Sequence, residues 1–237
     1  MPRSAPDSFL PDNSPDWPTD FFERRARKRG AEWVAGVDEV GRGPLAGPVV
    51  VAAVMFESRR FPRGLNDSKM LDPDERARLY EKILSRGLVS VVSASRERVD
   101  RMNILRASLW AMSKAVRALP QRPDHVLVDG NMIPSGLPCG GEALVGGDSR
   151  SVSIAAASIV AKVTRDRLMQ RVGQAFPEYG FAQHKGYSTP AHFTALSKHG
   201  PCQHHRRSFA PIRERLEPAP VAEATFWDDG QINVAEP

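Results

Sequence analysis

Asp38 and Glu39 are adjacent acids at the end of an apolar run, and they open directly into Gly41-Arg42-Gly43-Pro44-Leu45-Ala46-Gly47-Pro48. Two carboxylates at a strand end can hold a hard cation, and glycines in the turn behind them let backbone N–H groups approach a bulky anionic ligand such as a sugar-phosphate. Taken alone, an Asp-Glu pair is more often a solvated turn. The pattern recurs at Val126-Leu127-Val128-Asp129-Gly130-Asn131. In an α/β sheet functional groups gather beyond the carboxyl ends of neighbouring strands, so Asp38 and Asp129 can be adjacent in space. Asp148, in Gly146-Gly147-Asp148-Ser149, follows a short strand and by itself fits a helix-entry turn better than a ligand. Grouped carboxylates repel one another unless a cation neutralises them, and an oxygen-only donor set suits Mg2+ or Mn2+. One use of such a site is phosphodiester hydrolysis, with one ion activating water and a second stabilising the leaving oxygen. The sequence has no P-loop, and Gly41-x-Gly43 lacks the rest of a dinucleotide fingerprint.

The elements that must carry these residues alternate as in an α/β protein. Apolar, β-branched runs at 33–37, 48–56, 88–94, 125–129 and 143–145 predict strands. Asp72 followed by Pro73 predicts a capped helix running to about Ser85. Leu105, Leu109, Met112, Val116 and Leu119 form one apolar stripe at helical spacing, which marks core. A further helix is predicted over 153–171, with Val152, Ala156, Ile159 and Val163 on one face and alanines that allow close approach to a sheet.

A chain of 237 residues, 41% hydrophobic, can bury one core. No run of 18 apolar residues and no basic start before an apolar stretch occurs, which argues against a membrane-spanning or secreted protein. Cys139 and Cys202 lack Cys-x-x-Cys partners and read as free thiols in a reducing cytoplasm. The net charge is +5, but residues 217–237 hold five acids and no Lys or Arg, which leaves +10 on residues 1–216 and favours a polyanionic partner. Residues 1–31 are expected to be a disordered, proline-rich and basic extension, 32–216 the folded domain, and 217–237 an acidic tail. The cluster Arg24, Arg25, Arg27, Lys28 and Arg29 fits a solvated lead-in better than an electrostatic arm.

Seven ordered motifs between Trp33 and Leu216 resemble the bacterial ribonuclease HII family, the type 2 ribonucleases H. They are Val37 to Pro48; Leu65-Asn66-Asp67-Ser68-Lys69; Asp129-Gly130-Asn131; Gly147-Asp148-Ser149; Ala156 to Asp166; Tyr179 to Tyr187; and His204-His205-Arg206-Arg207-Ser208-Phe209. The resemblance implies a ribonuclease H-like fold, a central mixed five-stranded sheet flanked by helices with a small helical C-terminal part. It implies a monomer and assigns Asp38, Glu39, Asp129 and Asp148 as the acidic centre for Mn2+ or Mg2+. It gives Gly41, Arg42 and Gly43 contact with the 2'-hydroxyl at an RNA–DNA junction, with Tyr187 stacked on the sugar; the 2'-hydroxyl is the group that separates RNA from DNA. Asn66, Ser68, Lys69 and Lys185 are implied phosphate contacts. The implied activity is hydrolysis of the RNA strand of RNA/DNA hybrids and incision at ribonucleotides embedded in duplex DNA, leaving 5'-phosphate and 3'-hydroxyl ends.

One departure stands at Gly146, where the family usually carries a Lys two residues before its fourth acid. Asp166 reads as an ion-pair partner inside a helix. His184, His204 and His205 adjoin Lys185, Arg206 and Arg207, which favours phosphate or structural hydrogen bonds over a metal. Trp110 belongs to the core-stripe helix and Trp227 to the tail. A different nuclease or strand-transfer enzyme of the same broad fold would share the acids without needing a 2'-hydroxyl reader, and a hybrid-binding module would not need all four acids.

Overall fold

The structure, a computed structural model, describes residues 17–57 and 60–216. Five strands, β1 (Val34–Val40), β2 (Val49–Phe56), β3 (Gly87–Ala94), β4 (His125–Asp129) and β5 (Gly140–Leu144), form one sheet in the order β3-β2-β1-β4-β5. β1 pairs antiparallel with β2 and parallel with β4; β2–β3 is antiparallel and β4–β5 parallel. The mixed five-stranded sheet is thus as expected. The helices are α1 (Phe21–Lys28), α2 (Pro73–Arg86), α3 (Arg96–Met102), α4 (Ile104–Arg117), α5 (Val152–Ala175), α6 (Phe181–His184), α7 (Pro190–His199) and α8 (Ala210–Leu216).

Strand periodicity divides the core. Ala35, Val37, Val126 and Val128 face α4, where Ala107, Ala111, Met112, Ala115 and Val116 cover them. Ala52, Val54 and Phe56 face the other way, against α2 and the first half of α5. The alanines of α5 do what their size allows: a Cβ on Gly36 would overlap the backbone of Ser153 and Ile154, so β1 and α5 touch main chain to main chain. That contact explains why the first ten residues of α5 are buried on every side, where the sequence pattern had suggested a single apolar face.

The helix starts follow their caps. Asp72 accepts from the Glu75 amide ahead of Pro73, and Ser151 accepts from the Ile154 amide at the start of α5. Helix α1 corrects the expected extension over 1–31, at least in its last third. Phe22 and Ala26, one turn apart, are buried against Val34, Leu127, Leu144 and Ile154. Glu23, also buried, accepts from Ser151 Oγ (2.6 Å), Ser153 Oγ (2.7 Å) and the Ser153 amide (2.9 Å), clamping α1 to the N-terminus of α5. Arg25 pairs with Glu142 of β5. The basic cluster is therefore the outer face of a docked helix. The remainder of the extension, residues 1–16, and the acidic tail 217–237 lie outside the described residues. Helices α6 to α8 pack beneath the loop after β1: Ala46 sits with Met169, Tyr179, Phe181 and Ala195, and Leu45 with Leu196 and Ile212. No helix among the described residues is long and apolar enough to cross a membrane.

Candidate active site

Register places the acids. Val37 lies opposite Val128 in the parallel β1–β4 pair, so the next residues along, Asp38 and Asp129, are lateral neighbours. Both follow the parity of Gly36 and Leu127 and point to the α5 side, while Glu39 points to the α4 side. Asp148 arrives from a 3-10 turn, Gly147–Ser149, that follows β5. Its entry residue Gly146 is left-handed at φ 62°, and the Gly147 amide donates to Asp129 Oδ1 at 2.7 Å. That bond ties the third acid's carboxylate to the loop carrying the fourth. Lys69 supplies an ammonium beside Asp148, its Nζ 3.6 Å from Asp148 Oδ2 and 3.7 Å from Asp67 Oδ1.

Asp38 feels each of the other three carboxylates. Burial first, then the Glu39 and Asp129 carboxylates, hold Asp38 well above the ordinary carboxylate range. Burial raises Glu39, against the pull of Arg42, whose Nη1 lies 3.2 Å from Glu39 Oε1. Asp129 and Asp148 are likewise raised, chiefly by burial, and for Asp148 also by Asp129. The donor set fits a hard divalent cation: four carboxylates with no Cys or His, two of them (Asp38 and Asp148) under 10% exposed, crowded until a positive charge is needed. Among the described residues no three His, Cys, Asp or Glu side chains stand close enough together to hold a metal ion as they are, so the carboxylates would have to draw together around one.

Asn66 accepts from the Asp67 amide, and Lys69, largely exposed, overlooks the acids. Ser68 faces inward in this structure. It is 3% exposed and its hydroxyl lies 2.9 Å from Ser158 Oγ, the hydroxyl on α5 that lowers the Asp38 pKa against the effect of burial. Ser68 therefore stands behind the acids as a support, because the loop before α2 folds its short side chain inward onto α5. Lys185, left-handed at φ 54°, turns its ammonium back onto the Ala182 carbonyl. Tyr187, 39% exposed, presents its ring beside Arg165, with 5.7 Å between guanidinium and ring centroid.

Two further groups escaped the reading of residue types, and a third was read only in part. Ser158 is one. Arg165 and Arg206, both fully buried, are the second, holding the loop after β1 by its carbonyls. The third is a chain of imidazoles. The Cys202 amide donates to His205 Nδ1 (2.9 Å), so the proton of His205 is on Nε2 and is donated to His192 Nε2 (3.0 Å). His192 then donates from Nδ1 to the Tyr187 carbonyl (2.9 Å). His184 hydrogen-bonds the Tyr179 carbonyl through Nε2 and stacks on His192 at 4.5 Å. His184 and His205 thus make structural hydrogen bonds, one of the two expected roles, while the His204 ring packs edge-on against Phe176, and Asp166 pairs with Lys162 at 2.9 Å.

The sheet order and the acids at the ends of β1 and β4 define a nuclease of the ribonuclease H type. The ribonuclease H2 of Pyrococcus horikoshii OT3 superposes with a TM-score of 0.66 at 29% identity, over 77% of this chain and 96% of that one. A ribonuclease HIII described with Mn2+ shares the fold at 21% identity, with a TM-score of 0.62 over 81% of this chain and 71% of its own. Residues 35–212 match the ribonuclease HII family. The ribonuclease HII of Sinorhizobium medicae is 55% identical over 90% of this chain and 98% of its own, and that of Xanthobacter autotrophicus 57% identical over 85% and 82%. The chain belongs to the ribonuclease HII family: it is a ribonuclease H, an enzyme of RNA/DNA hybrids.

Proposed function

We propose that this enzyme hydrolyses the RNA strand of RNA/DNA hybrids and incises at single ribonucleotides embedded in duplex DNA, leaving 5'-phosphate and 3'-hydroxyl ends. The observation that carries the reading is the lateral pairing of Asp38 and Asp129 immediately before the Gly41–Gly43 turn. Asp38, Glu39, Asp129 and Asp148 would hold two divalent ions, Mn2+ or Mg2+, which when bound supply an activated water and stabilise the leaving oxygen.

The chain's own groups do the rest. The Glu39 amide donates to Asp38 Oδ1 and the Gly147 amide to Asp129 Oδ1, with the Ser158 hydroxyl, backed by Ser68, on the Asp38 side, so both oxygens are oriented before substrate arrives. The amides of Gly41, Arg42 and Gly43 are suited to the ribose 2'-hydroxyl at the junction, and Tyr187 to the face of the sugar. Lys69 and Asn66 would contact phosphate, as would Lys185 once its ammonium leaves the Ala182 carbonyl, contacts that position the duplex without reading its sequence. The protein acts as a monomer in the cytoplasm in this reading.

The experiment is a gel assay on a DNA duplex with one ribonucleotide, with and without Mn2+. Cleavage 5' to the ribonucleotide, dependent on the ion and lowered by about two orders of magnitude in Asp38→Asn and Asp129→Asn with binding retained, is the expected result. Cutting of an all-DNA duplex would favour a general nuclease of the fold, and binding without cutting would leave a hybrid-binding module.

A further inference from the structure

The loop from Gly41 to Pro48 is held in an unusual way. Arg206 donates from Nη2 to the Gly41 carbonyl (2.6 Å), from Nη1 to that of Arg42 (2.9 Å) and from Nε to that of Gly47 (2.9 Å). Arg165 donates from Nη2 to Ala46 (3.1 Å) and from Nε to Pro48 (3.0 Å), and reaches Lys185 with Nη1 (3.1 Å). Both guanidiniums are fully buried and no carboxylate pairs with either among the described residues. Burial without a counter-ion is costly, and it pushes Arg206 down to about 9. Carbonyl dipoles and an aromatic face, Phe209 at 5.1 Å from Arg206, are the compensation. A peptide unit whose C=O is drawn inward points the following N–H outward. The amides of Arg42 and Gly43 follow the two carbonyls taken by Arg206, and with that of Gly41 they donate to no acceptor in the protein among the described residues. Gly41 cannot be otherwise, since it is left-handed at φ 95° and a Cβ there would overlap the Arg165 side chain.

We propose that Arg165 and Arg206 are positioning residues for ribonucleotide recognition: they draw the loop's carbonyls inward and so present the Arg42 and Gly43 amides, unpaired, to the ribose 2'-hydroxyl. The proposal rests on the reading of that turn as the 2'-hydroxyl reader and deepens it. A lysine has one donor centre where arginine has a planar fork, so Arg206→Lys cannot hold Gly41, Arg42 and Gly47 at once.

The test is equilibrium binding in Ca2+ to two duplexes, one with a single ribonucleotide and one all-DNA, for wild type, Arg206→Lys and Arg165→Lys, with thermal unfolding of each. A variant with all-DNA affinity within about twofold of wild type, and with the ribonucleotide preference reduced about fivefold or more, is the expected result. Parallel loss of affinity for both duplexes, as a merely structural arginine gives, overturns the proposal, as does an unchanged preference. Arg165→Lys, which leaves the Gly41 and Arg42 carbonyls to Arg206, carries the test if Arg206→Lys does not fold, and should then lower the preference by about two- to fivefold while leaving all-DNA binding intact, an unchanged preference again overturning the proposal. A wild type without any preference for the ribonucleotide would instead overturn the reading of the turn itself, a distinct outcome.

Discussion

His205 makes the stability of this enzyme fall in mild acid by an amount that can be worked out. Its Nδ1 already accepts from Cys202 and its Nε2 proton is already given to His192, so a second proton must enter on Nδ1, facing an amide N–H. The groups around it offer no negative charge: His192 from α7, His184 from α6, His204 beside it in the chain, and the rings of Tyr179 and Phe181. Burial first, then these imidazoles, lower its pKa from 6.5 to about 4. The sign follows from linkage. Below pH 6.5 the unfolded chain takes up a proton that the folded chain refuses, so stability is lost as pH falls from 6.5 towards 4. Between pH 7.5 and pH 5 the loss from this one ring is about 2 kcal/mol. The active-site carboxylates, whose pKa values are raised, work in the opposite direction, so wild type alone would not isolate the effect. His205→Gln does. By urea unfolding in EDTA, the variant is less stable than wild type at pH 7.5, and the gap between them should narrow by about 2 kcal/mol at pH 5. A gap that stays constant across that range would refute the assignment of a neutral, doubly bonded His205.

Two further outcomes are expected. Asp38→Asn removes a buried charge crowded by three carboxylates, so in EDTA it should raise stability by about 1–2 kcal/mol, or roughly 2–8 °C in Tm, while abolishing cleavage; an unchanged or lower Tm would show that the acids are not in conflict. Glu23→Ala strips three hydrogen bonds from the start of α5 and should cost about 2–3 kcal/mol by urea unfolding, whereas a change under about 0.5 kcal/mol, the scale of a surface substitution, would mean that α1 is a passenger on the domain.

What could be read from the chain without coordinates divides along physical lines. Asp38, Asp129 and the glycine turn are legible because a strand that stops at an acid has a definite exit, whereas Asp148, which by itself fits a helix-entry turn, is assigned by the resemblance alone. Even so, Asp38 and Glu39 lie within β1, which runs on to Val40 because β2 pairs with it that far. β5 shows the limit of local pattern. Gly140 and Gly141 have no strand propensity, yet they open the strand because His125 and Val126 of β4 supply their partners. Helix α1 was hidden for a different reason. Its buried face is only Phe22, Glu23 and Ala26, three residues among five cations, and a buried glutamate counts against burial in any residue-type reading. The same bias concealed Ser158 and the two arginines, although part of that was recoverable. Ser158 sits inside the alanine-rich half of α5 and Arg165 follows it by seven residues, two helical turns, so both must face the same side; if Ser158 reaches Asp38, Arg165 reaches the turn just beyond it. Arg206 left no such trace. Its place depends on the bridge between Ala46 and His205, a contact between segments far apart in sequence. Whether an arginine there meets phosphate or three carbonyls is decided only when that bridge closes over it.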